Sequence, residues 1–109
     1  MKGKIVLEPF PFTDLTAAKL RPALVVYEGE KDAVVAFISS KIPSGLSDVD
    51  ILINENHPAF KRAGLKVDSV IKLDKIATVL KDLIVGELGE LDEDLRKEVN
   101  HKLKRIMEI

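Results

Sequence analysis

The first third of the chain alternates short apolar runs with polar turns, a pattern typical of β-strands. Residues 4–8, 23–27 and 33–38 are rich in β-branched and other apolar side chains, which favour strands. The first run is expected to end at Pro9, because proline cannot donate to a strand ladder. The polar, glycine-containing segment at residues 28–32 predicts a β-hairpin between the second and third runs.

Shorter strands are predicted in the second half of the chain. Their ranges are residues 49–53, 67–73, 78–80 and 84–85, where apolar side chains alternate or cluster over a few positions. Residues 74–76 are interpreted as a turn, and residues 86–90, which contain two glycines, as a break in the pattern. One helical turn is predicted at residues 59–62, inside an irregular segment that contains a proline and a glycine.

A single amphipathic helix is predicted at the end of the chain. Leu95, Val99, Leu103 and Ile106 recur at spacings of four, four and three residues, which gives one apolar stripe. Asp92 is a good N-cap for this helix, because its side chain can accept from a free backbone N–H of the first turn. The pattern therefore predicts a mainly β fold, a small barrel whose open side is covered by a C-terminal helix.

Arg21 is held in extended geometry by the proline that follows it. Pro22 is expected at the first position of the second strand. In an antiparallel hairpin the end of one strand lies beside the start of the other, so Ser39 and Ser40 are expected near Arg21, with Lys41 next to them. The alternative is an edge arginine that pairs with a surface carboxylate and contributes little.

Composition narrows the possible function classes. The length of 109 residues suits one domain, and 17 basic against 18 acidic residues give a net charge of -1. Any polyanion must therefore be met by a local cationic patch. Because cysteine is absent, disulfides and thiolate metal sites are excluded. The apolar runs are too short for a signal peptide or a membrane span, so a cytoplasmic protein with no membrane association is expected.

Five segments carry a family resemblance: KIVLEPFPFTDL, LRPALVVY, VVAFISSK, VDSVIKLDKIAT and GELGEL before the capped helix. In this order and spacing they resemble the PemK/MazF-like toxins of type II toxin–antitoxin systems, over nearly the whole chain. The resemblance implies one domain, residues 1–109, with a small SH3-like β-barrel and a C-terminal helix. It also implies a homodimer that cleaves single-stranded RNA selectively, without metal or cofactor, and is neutralised by a cognate antitoxin protein.

The resemblance also implies site residues. The arginine before proline in the family falls on Arg21, with a catalytic or phosphate-binding role, and the hydroxyl that closes the next strand falls on Ser39. A basic residue two positions before an aspartate falls on Lys72 and Asp74. Lysine stands there for an arginine and lacks its bidentate fork. The loop histidine of some members has no counterpart here, and the acidic residue usual after the early glycine is Lys4.

Metal-free RNA cleavage needs a base for the 2′-OH, a cation for the phosphorane-like transition state and an acid for the leaving oxygen. Arg21 is assigned to the transition state, because its planar donors match phosphate oxygens and the benefit grows as charge develops. Ser39 can donate a hydrogen bond to the same phosphate. Asp74 is the candidate base, and the acid is Arg21 or Lys72.

Nucleic-acid binding is the general expectation. The residues predicted to contact RNA are Phe12, Thr13, Lys19, Ser40, Lys41 and Lys72. At least one of Phe10 and Phe12 is interpreted as closing one end of a small barrel, and the alternative is that one of them stacks on a base. His57 and His101 can titrate near neutrality, but they are interpreted as a loop residue and a surface residue. No metal ligands are predicted.

Two alternatives to an active nuclease stay open. The same barrel occurs in toxins that inhibit DNA gyrase by protein contact, and one fold hosts many functions. The near-neutral charge and the missing histidine favour that alternative, while Arg21 and Ser39 favour the nuclease. The other alternative is a catalytically weak homologue that still binds an antitoxin. For assembly, a two-fold homodimer is expected, because small barrels expose a sheet edge or apolar patch.

Overall fold

A computed structural model describes residues 1–10 and 19–109. Its strands are β1 (Lys4–Phe10), β2 (Lys19–Glu28), β3 (Asp32–Ser39), β4 (Asp50–Ile53), β5 (Ser69–Leu80) and β6 (Gly86–Glu90). Its helices are α1 (Phe60–Ala63) and α2 (Glu93–Met107), with a 3₁₀ turn at Lys81–Leu83. The predicted fold class, mainly β with a C-terminal helix, is confirmed.

The described strands form one antiparallel sheet in the order β4-β5-β3-β2-β1-β6. Strands β2 and β3 make the predicted hairpin, with Ala23 opposite Phe37 and Leu24 opposite Ala36. Register shifts interrupt the β1–β6, β2–β3 and β3–β5 pairs. Such bulges bend strands and increase their twist, and the sheet is curled into half of a barrel.

Apolar side chains are buried on both faces of the sheet, which explains why the strand sequences are apolar at neighbouring positions. The cluster between one face and the helices includes Ile5, Leu24, Ile51, Ile71 and Leu73 of the sheet, Leu91 after β6, and Leu95 and Val99 of α2. The opposite face buries Val6, Ala23, Val25, Ala33 and Val35, with Phe37, Val79 and Ile84 packed against them. The two clusters hold the central strands in a fixed register, because a shift of one residue would exchange the faces.

Helix α2 forms as predicted. The side chain of Asp92 accepts a hydrogen bond from the backbone N–H of Leu95 at 2.8 Å, which satisfies one free donor of the first turn. Leu95 and Val99 are buried, and Leu103 and Ile106 pack half-buried against the same cluster.

Within the described ranges, no helix is long and apolar enough to cross a membrane.

Two predicted strand limits are wrong. Strand β1 continues through Pro9, and β2 begins at Lys19, so Pro22 lies inside a strand instead of at its first position. The pairing of β2 with β3 begins at Ala23. Pro22 therefore lies just beyond the part of β2 that is paired on both sides, where a missing N–H is tolerated.

Residues 86–90, which the sequence predicts to be a break, form strand β6. Gly89 pairs with Ile5 and Glu87 with Val6 on β1, a pairing between distant parts of the chain that local signals do not reveal. Residues 84–85 are not a strand, although the N–H of Val85 donates to the carbonyl of Leu7 at 2.8 Å.

Residues 74–76 lie within β5 and are not a turn. On β3, Ala36 and its neighbour Phe37 pair with Ile76 and Lys72, respectively. Two consecutive residues of β3 thus pair with residues four positions apart on β5. The three residues between them, Leu73–Lys75, form a bulge with no partner in the β3–β5 ladder. The predicted strand at residues 78–80 is the last part of the same long strand.

Candidate functional site

A cavity of about 520 Å³ lies where β2 begins and β3 ends. Its lining residues are Arg21, Phe37, Ile38, Ser39, Ser40, Lys41, Lys72 and Lys75. Among the described residues of this lining none is acidic, and we call it the cationic cavity. Its volume is in the range of sites that hold a small ligand.

The strand register places the cavity side chains on one face. Phe37 lies opposite Ala23 on β2 and opposite Lys72 on β5. Arg21 lies two residues before Ala23 on β2, and Ser39 lies two residues after Phe37 on β3. Because side chains two positions apart point to the same side of a sheet, Arg21 and Ser39 share the face of Ala23 and Phe37. The predicted hairpin therefore brings Arg21 and Ser39 to one cavity, with Lys72 beside them.

The Ser39 side chain accepts one backbone hydrogen bond. Its Oγ accepts a hydrogen bond from the backbone N–H of Lys41 at 3.1 Å. A hydroxyl can accept and donate at once, so the Ser39 O–H remains available to a group in the cavity. This bond also fixes the direction in which the chain leaves β3, and with it the positions of Ser40 and Lys41.

The β5 bulge brings Lys75 to the cavity lining, a residue that the sequence interpretation placed in a turn. Bulges commonly re-aim side chains beside functional sites. Asp74, the predicted base, lies exposed in the same bulge and does not belong to the cavity lining. The structure thus brings together the predicted hydroxyls and three of the predicted cations, Arg21, Lys41 and Lys72, but it leaves the predicted carboxylate outside the cavity.

Asp50 forms an ion pair with Lys72, with Oδ1 and Nζ 3.5 Å apart. The N–H and hydroxyl of Ser47 donate to its Oδ2 at 3.0 and 3.2 Å. Burial pushes the pKa of Asp50 upward, but the Ser47 hydrogen bonds and the Lys72 ammonium outweigh it, so this pKa lies below its usual value. Asp50 is therefore ionised at neutral pH and offsets part of the Lys72 charge.

Glu8 is a second buried carboxyl group near the cavity, and sequence reasoning missed it. It lies opposite Arg21 in the β1–β2 register, so the two side chains share a face of the sheet. The residue is 0% exposed, and within the described part of the chain neither carboxyl oxygen has a hydrogen-bond partner. Burial raises the pKa of Glu8 to about 7.

A more apolar cavity of about 310 Å³ lies on the other side of Arg21. Its lining includes Leu7, Leu20, Pro22, Ile38, Leu65, Val67 and Leu88, together with Arg21 and Ser40. Arg21, Ile38 and Ser40 therefore line both cavities. We call this second space the apolar cavity.

The remaining predicted RNA contacts are not part of either lining. Lys19 is exposed at the start of β2, opposite Phe10 on β1, and lines neither cavity. Phe12 and Thr13 lie outside the described residues.

The two histidines are away from the cationic cavity. Nδ1 of His57 accepts a hydrogen bond from the N–H of Ala59 at 3.0 Å, which stabilises the turn before α1, and His101 is exposed on α2. Their interpretation as a loop residue and a surface residue is confirmed. In residues 1–10 and 19–109, no group of three or more His, Cys, Asp or Glu side chains could hold a metal ion.

The curled antiparallel sheet, its C-terminal helix and the cationic cavity together define a class: small β proteins with a positively charged site at one end of the sheet. The model of the family described as PemK-like, MazF-like toxin of type II toxin-antitoxin system matches residues 1–107. The chain belongs to this family.

Solved structures share the fold over almost their full lengths. The Mycobacterium tuberculosis toxin MazF-mt6 has a TM-score of 0.75 and 14% identity, with 97% of each chain covered. An endoribonuclease in complex with its cognate antitoxin from Mycobacterial species has a TM-score of 0.72 and 15% identity, covering 96% of this chain and 91% of that one.

MazF from Deinococcus radiodurans has a TM-score of 0.70 and 20% identity, with 99% of this chain and 96% of the other covered. At these identities the likeness concerns the fold. Among curated proteins, none matches the sequence.

Proposed function

We propose that this chain is the toxin of a type II toxin–antitoxin system and cleaves single-stranded RNA in the cationic cavity, selectively for sequence and without a metal ion. One observation carries the proposal: Arg21, Ser39 and three lysines line a single cavity in which no described lining residue is acidic. The family supports it, as does a structural relative described as an endoribonuclease with its cognate antitoxin.

Arg21 and Ser39 are assigned to the scissile phosphate. The guanidinium offers paired N–H donors to the phosphate oxygens and stabilises the negative charge that grows on them as the 2′-oxygen attacks. The Ser39 hydroxyl donates to the same phosphate while its oxygen accepts the hydrogen bond from the Lys41 N–H. Both groups are mounted on paired strands, which keeps their separation fixed.

The lysines are assigned to the flanking phosphates. In the described part of the chain Lys41 and Lys75 have no ion pair, whereas Lys72 is tied to Asp50. Lys41 and Lys75 therefore supply most of the attraction for RNA, which the overall charge of -1 does not supply. Lys19 and Ser40 extend this surface, and Phe12 and Thr13 are assigned contacts with the RNA from the preceding loop.

Proton transfer is assigned to Asp74 as the base, with Arg21 or Lys72 as the acid. The bulge at Leu73–Lys75 gives this part of β5 an irregular backbone, and bulges orient side chains that a regular strand would direct elsewhere. A base at Asp74 requires that the attacking 2′-OH lies at the rim of the cavity, on the Lys75 side.

The direct test is digestion of a mixed RNA by the purified protein in EDTA, with end-mapping of the products. Cleavage at a recurring short sequence is expected, and the DNA of the same sequence should stay intact because it lacks the 2′-OH nucleophile. Absence of cleavage over a broad range of RNA sequences would contradict the proposal.

Binding of a protein target without cleavage is the alternative function, and the apolar cavity favours it. A space of about 310 Å³ beside Arg21 suits an apolar side chain of a partner. A gyrase supercoiling assay run beside the RNA digestion separates the two. Inhibition of supercoiling with intact RNA would support the protein-binding toxin. Binding of the cognate antitoxin without either activity would support a weak homologue.

For assembly we propose a two-fold homodimer in the cytoplasm, with RNA and antitoxin competing for a groove that includes the cationic cavity. Leu80, Leu83 and Val85, around the 3₁₀ turn, are 58%, 47% and 64% exposed, and exposed apolar side chains in a row mark an interaction surface. Light scattering of the purified protein should give twice the chain mass, and Val85→Lys should shift it toward the monomer.

A further inference from the structure

Glu8 is the least expected ionisable group of the structure. A carboxyl group that is 0% exposed usually has a charged or hydrogen-bonded partner, because an isolated buried charge is unfavourable. Neither Glu8 oxygen has a hydrogen-bond partner among the described residues. Its place in the strand register is directly opposite Arg21, the residue that the proposed function assigns to phosphate.

We propose that Glu8 is a proton-controlled positioning residue for Arg21: neutral Glu8 leaves the guanidinium to the cationic cavity, and ionised Glu8 pairs with it and weakens phosphate binding. The proposal rests on the assignment of Arg21 to phosphate. It adds a regulation that the cavity itself does not contain, since Glu8 does not line it.

The charged groups around Glu8 on the neighbouring strands favour Arg21 as its partner. On β2, Arg21 is opposite Glu8, and Lys19 is two residues away at the exposed strand start. On β6, Glu87 lies opposite Val6 and forms an ion pair with Lys4 at 3.5 Å.

Two further charged residues of this face lie beyond β3. Lys72 on β5 and Asp50 on β4 pair with each other at 3.5 Å, and Phe37 stands between Lys72 and β2. Among the described residues, Arg21 is thus the cation that lies directly opposite Glu8 in the strand register.

Thermodynamic linkage fixes the sign of the effect. A bound phosphate at Arg21 opposes a negative charge on Glu8, so RNA binding raises the affinity of Glu8 for its proton. By reciprocity, protonation of Glu8 strengthens RNA binding by the same factor. Because burial places the pKa of Glu8 at about 7, the change falls in the physiological range.

The test measures binding of a 2′-O-methyl RNA, which resists cleavage, from about pH 6 to about pH 8. If RNA raises the Glu8 pKa by about one unit, wild-type affinity falls about fivefold over this range and approaches a loss of about tenfold at higher pH. Glu8→Gln should bind as tightly as wild type at the low end and change little. Glu87→Gln, which removes an exposed carboxylate from the adjacent strand, should keep the wild-type profile. Equal profiles for wild type and Glu8→Gln overturn the proposal.

A second readout needs no RNA. The Arg21 Nε–H signal in a nuclear magnetic resonance titration should shift with the ionisation of Glu8 in wild type and stay constant in Glu8→Gln. An Arg21 signal that does not respond to this ionisation overturns the inference even if RNA is cleaved. A responding signal in a protein that neither binds nor cleaves RNA contradicts the proposed function and leaves the Glu8–Arg21 coupling supported.

Discussion

Glu8 and Asp50 are two buried carboxyl groups of one sheet face, and their environments are opposite. Asp50 is 8% exposed, accepts two hydrogen bonds from Ser47 and pairs with Lys72. Glu8 is 0% exposed and has no hydrogen-bond partner among the described residues. The pKa of Asp50 is lowered, while that of Glu8 is raised to about 7.

The comparison shows that burial alone does not decide the charge of a carboxyl group. Burial acts on both groups in the same direction, and only Asp50 has the donors and the cation that reverse it. Asp50 thus carries a negative charge at neutral pH that restrains Lys72, a lysine of the cationic cavity. Near Arg21, the charge of Glu8 depends on pH.

The largest expected effect concerns Glu8 and stability. Its pKa rises from 4.5 in an unperturbed glutamate to about 7 in the fold. The unfolded chain loses the proton first, so wild type loses about 3 kcal/mol of stability as pH rises through this window. In urea denaturation, Glu8→Gln should be about 3 kcal/mol more stable than wild type at about pH 8 and equal at about pH 4.

A Glu8→Gln variant no more stable than wild type at the higher pH would show that Glu8 is ionised and well solvated or partnered. Comparing the two proteins at each pH removes the contribution of the other carboxyl groups, which is the same in both.

Asp50→Asn is expected to act in the opposite direction. Removing the charge weakens the Ser47 hydrogen bonds and leaves Lys72 without its partner, which costs about 2 kcal/mol at neutral pH. Because the pKa of Asp50 is lowered, its contribution is present above the unfolded pKa and is lost as pH falls through the folded one. The difference between the two proteins should therefore shrink in acid.

Asp48→Asn is the matched control for this change, since Asp48 lies only two residues before Asp50 but its side chain is 88% exposed. It should alter the free energy of unfolding by less than about 0.5 kcal/mol. Equal losses for the two variants would mean that the Asp50 contacts contribute nothing beyond an exposed ion pair.

Ser47→Ala should have a smaller effect, about 1 kcal/mol, because it removes one of the two Ser47 donors and keeps the backbone bond. It should also move the acid transition of stability to higher pH, since Asp50 loses a group that lowers its pKa. The exposed Ser44 of the same loop offers the control Ser44→Ala, for which no shift is expected.

The smallest effect concerns RNA affinity. A lysine that neutralises one phosphate contributes about 0.7 to the salt dependence of single-strand binding. Lys41→Met should reduce the slope by about this amount, and Lys72→Met by less, because Asp50 already offsets its charge. Equal reductions would show that Lys72 leaves Asp50 when RNA binds.

The sequence predicted the elements that depend on interactions between residues close in the chain. The hairpin follows from two apolar runs around a glycine turn, and α2 from its stripe and the Asp92 cap. Strand β6 was missed because its two glycines are typical of a break, and its stability comes from pairing with β1, whose partner residues are 79 to 86 positions away in sequence.

The candidate site was predicted in part for the same reason. Arg21, Ser39 and Lys41 meet through the hairpin, so strand topology was sufficient to place them. The position of Lys75 at the cavity depends on a bulge in β5, which no local sequence pattern predicted. The roles of Glu8 and Asp50 depend on their burial in the tertiary structure. The sequence offered one indication for both residues, a carboxylate inside or beside an apolar strand. Carboxylates are rarely buried without a partner, so this position is unusual.

Arg21 is the central residue of the proposed function, as the cation of an RNA-cleaving cavity. The most direct measurement is the rate of cleavage of single-stranded RNA in EDTA by wild type, Arg21→Ala and Arg105→Ala, the last removing an exposed arginine of α2. Loss of the positioned cation should lower the rate of Arg21→Ala by about 100-fold or more, with folding and the Arg105→Ala rate unchanged. Cleavage by Arg21→Ala at the wild-type rate would contradict the account.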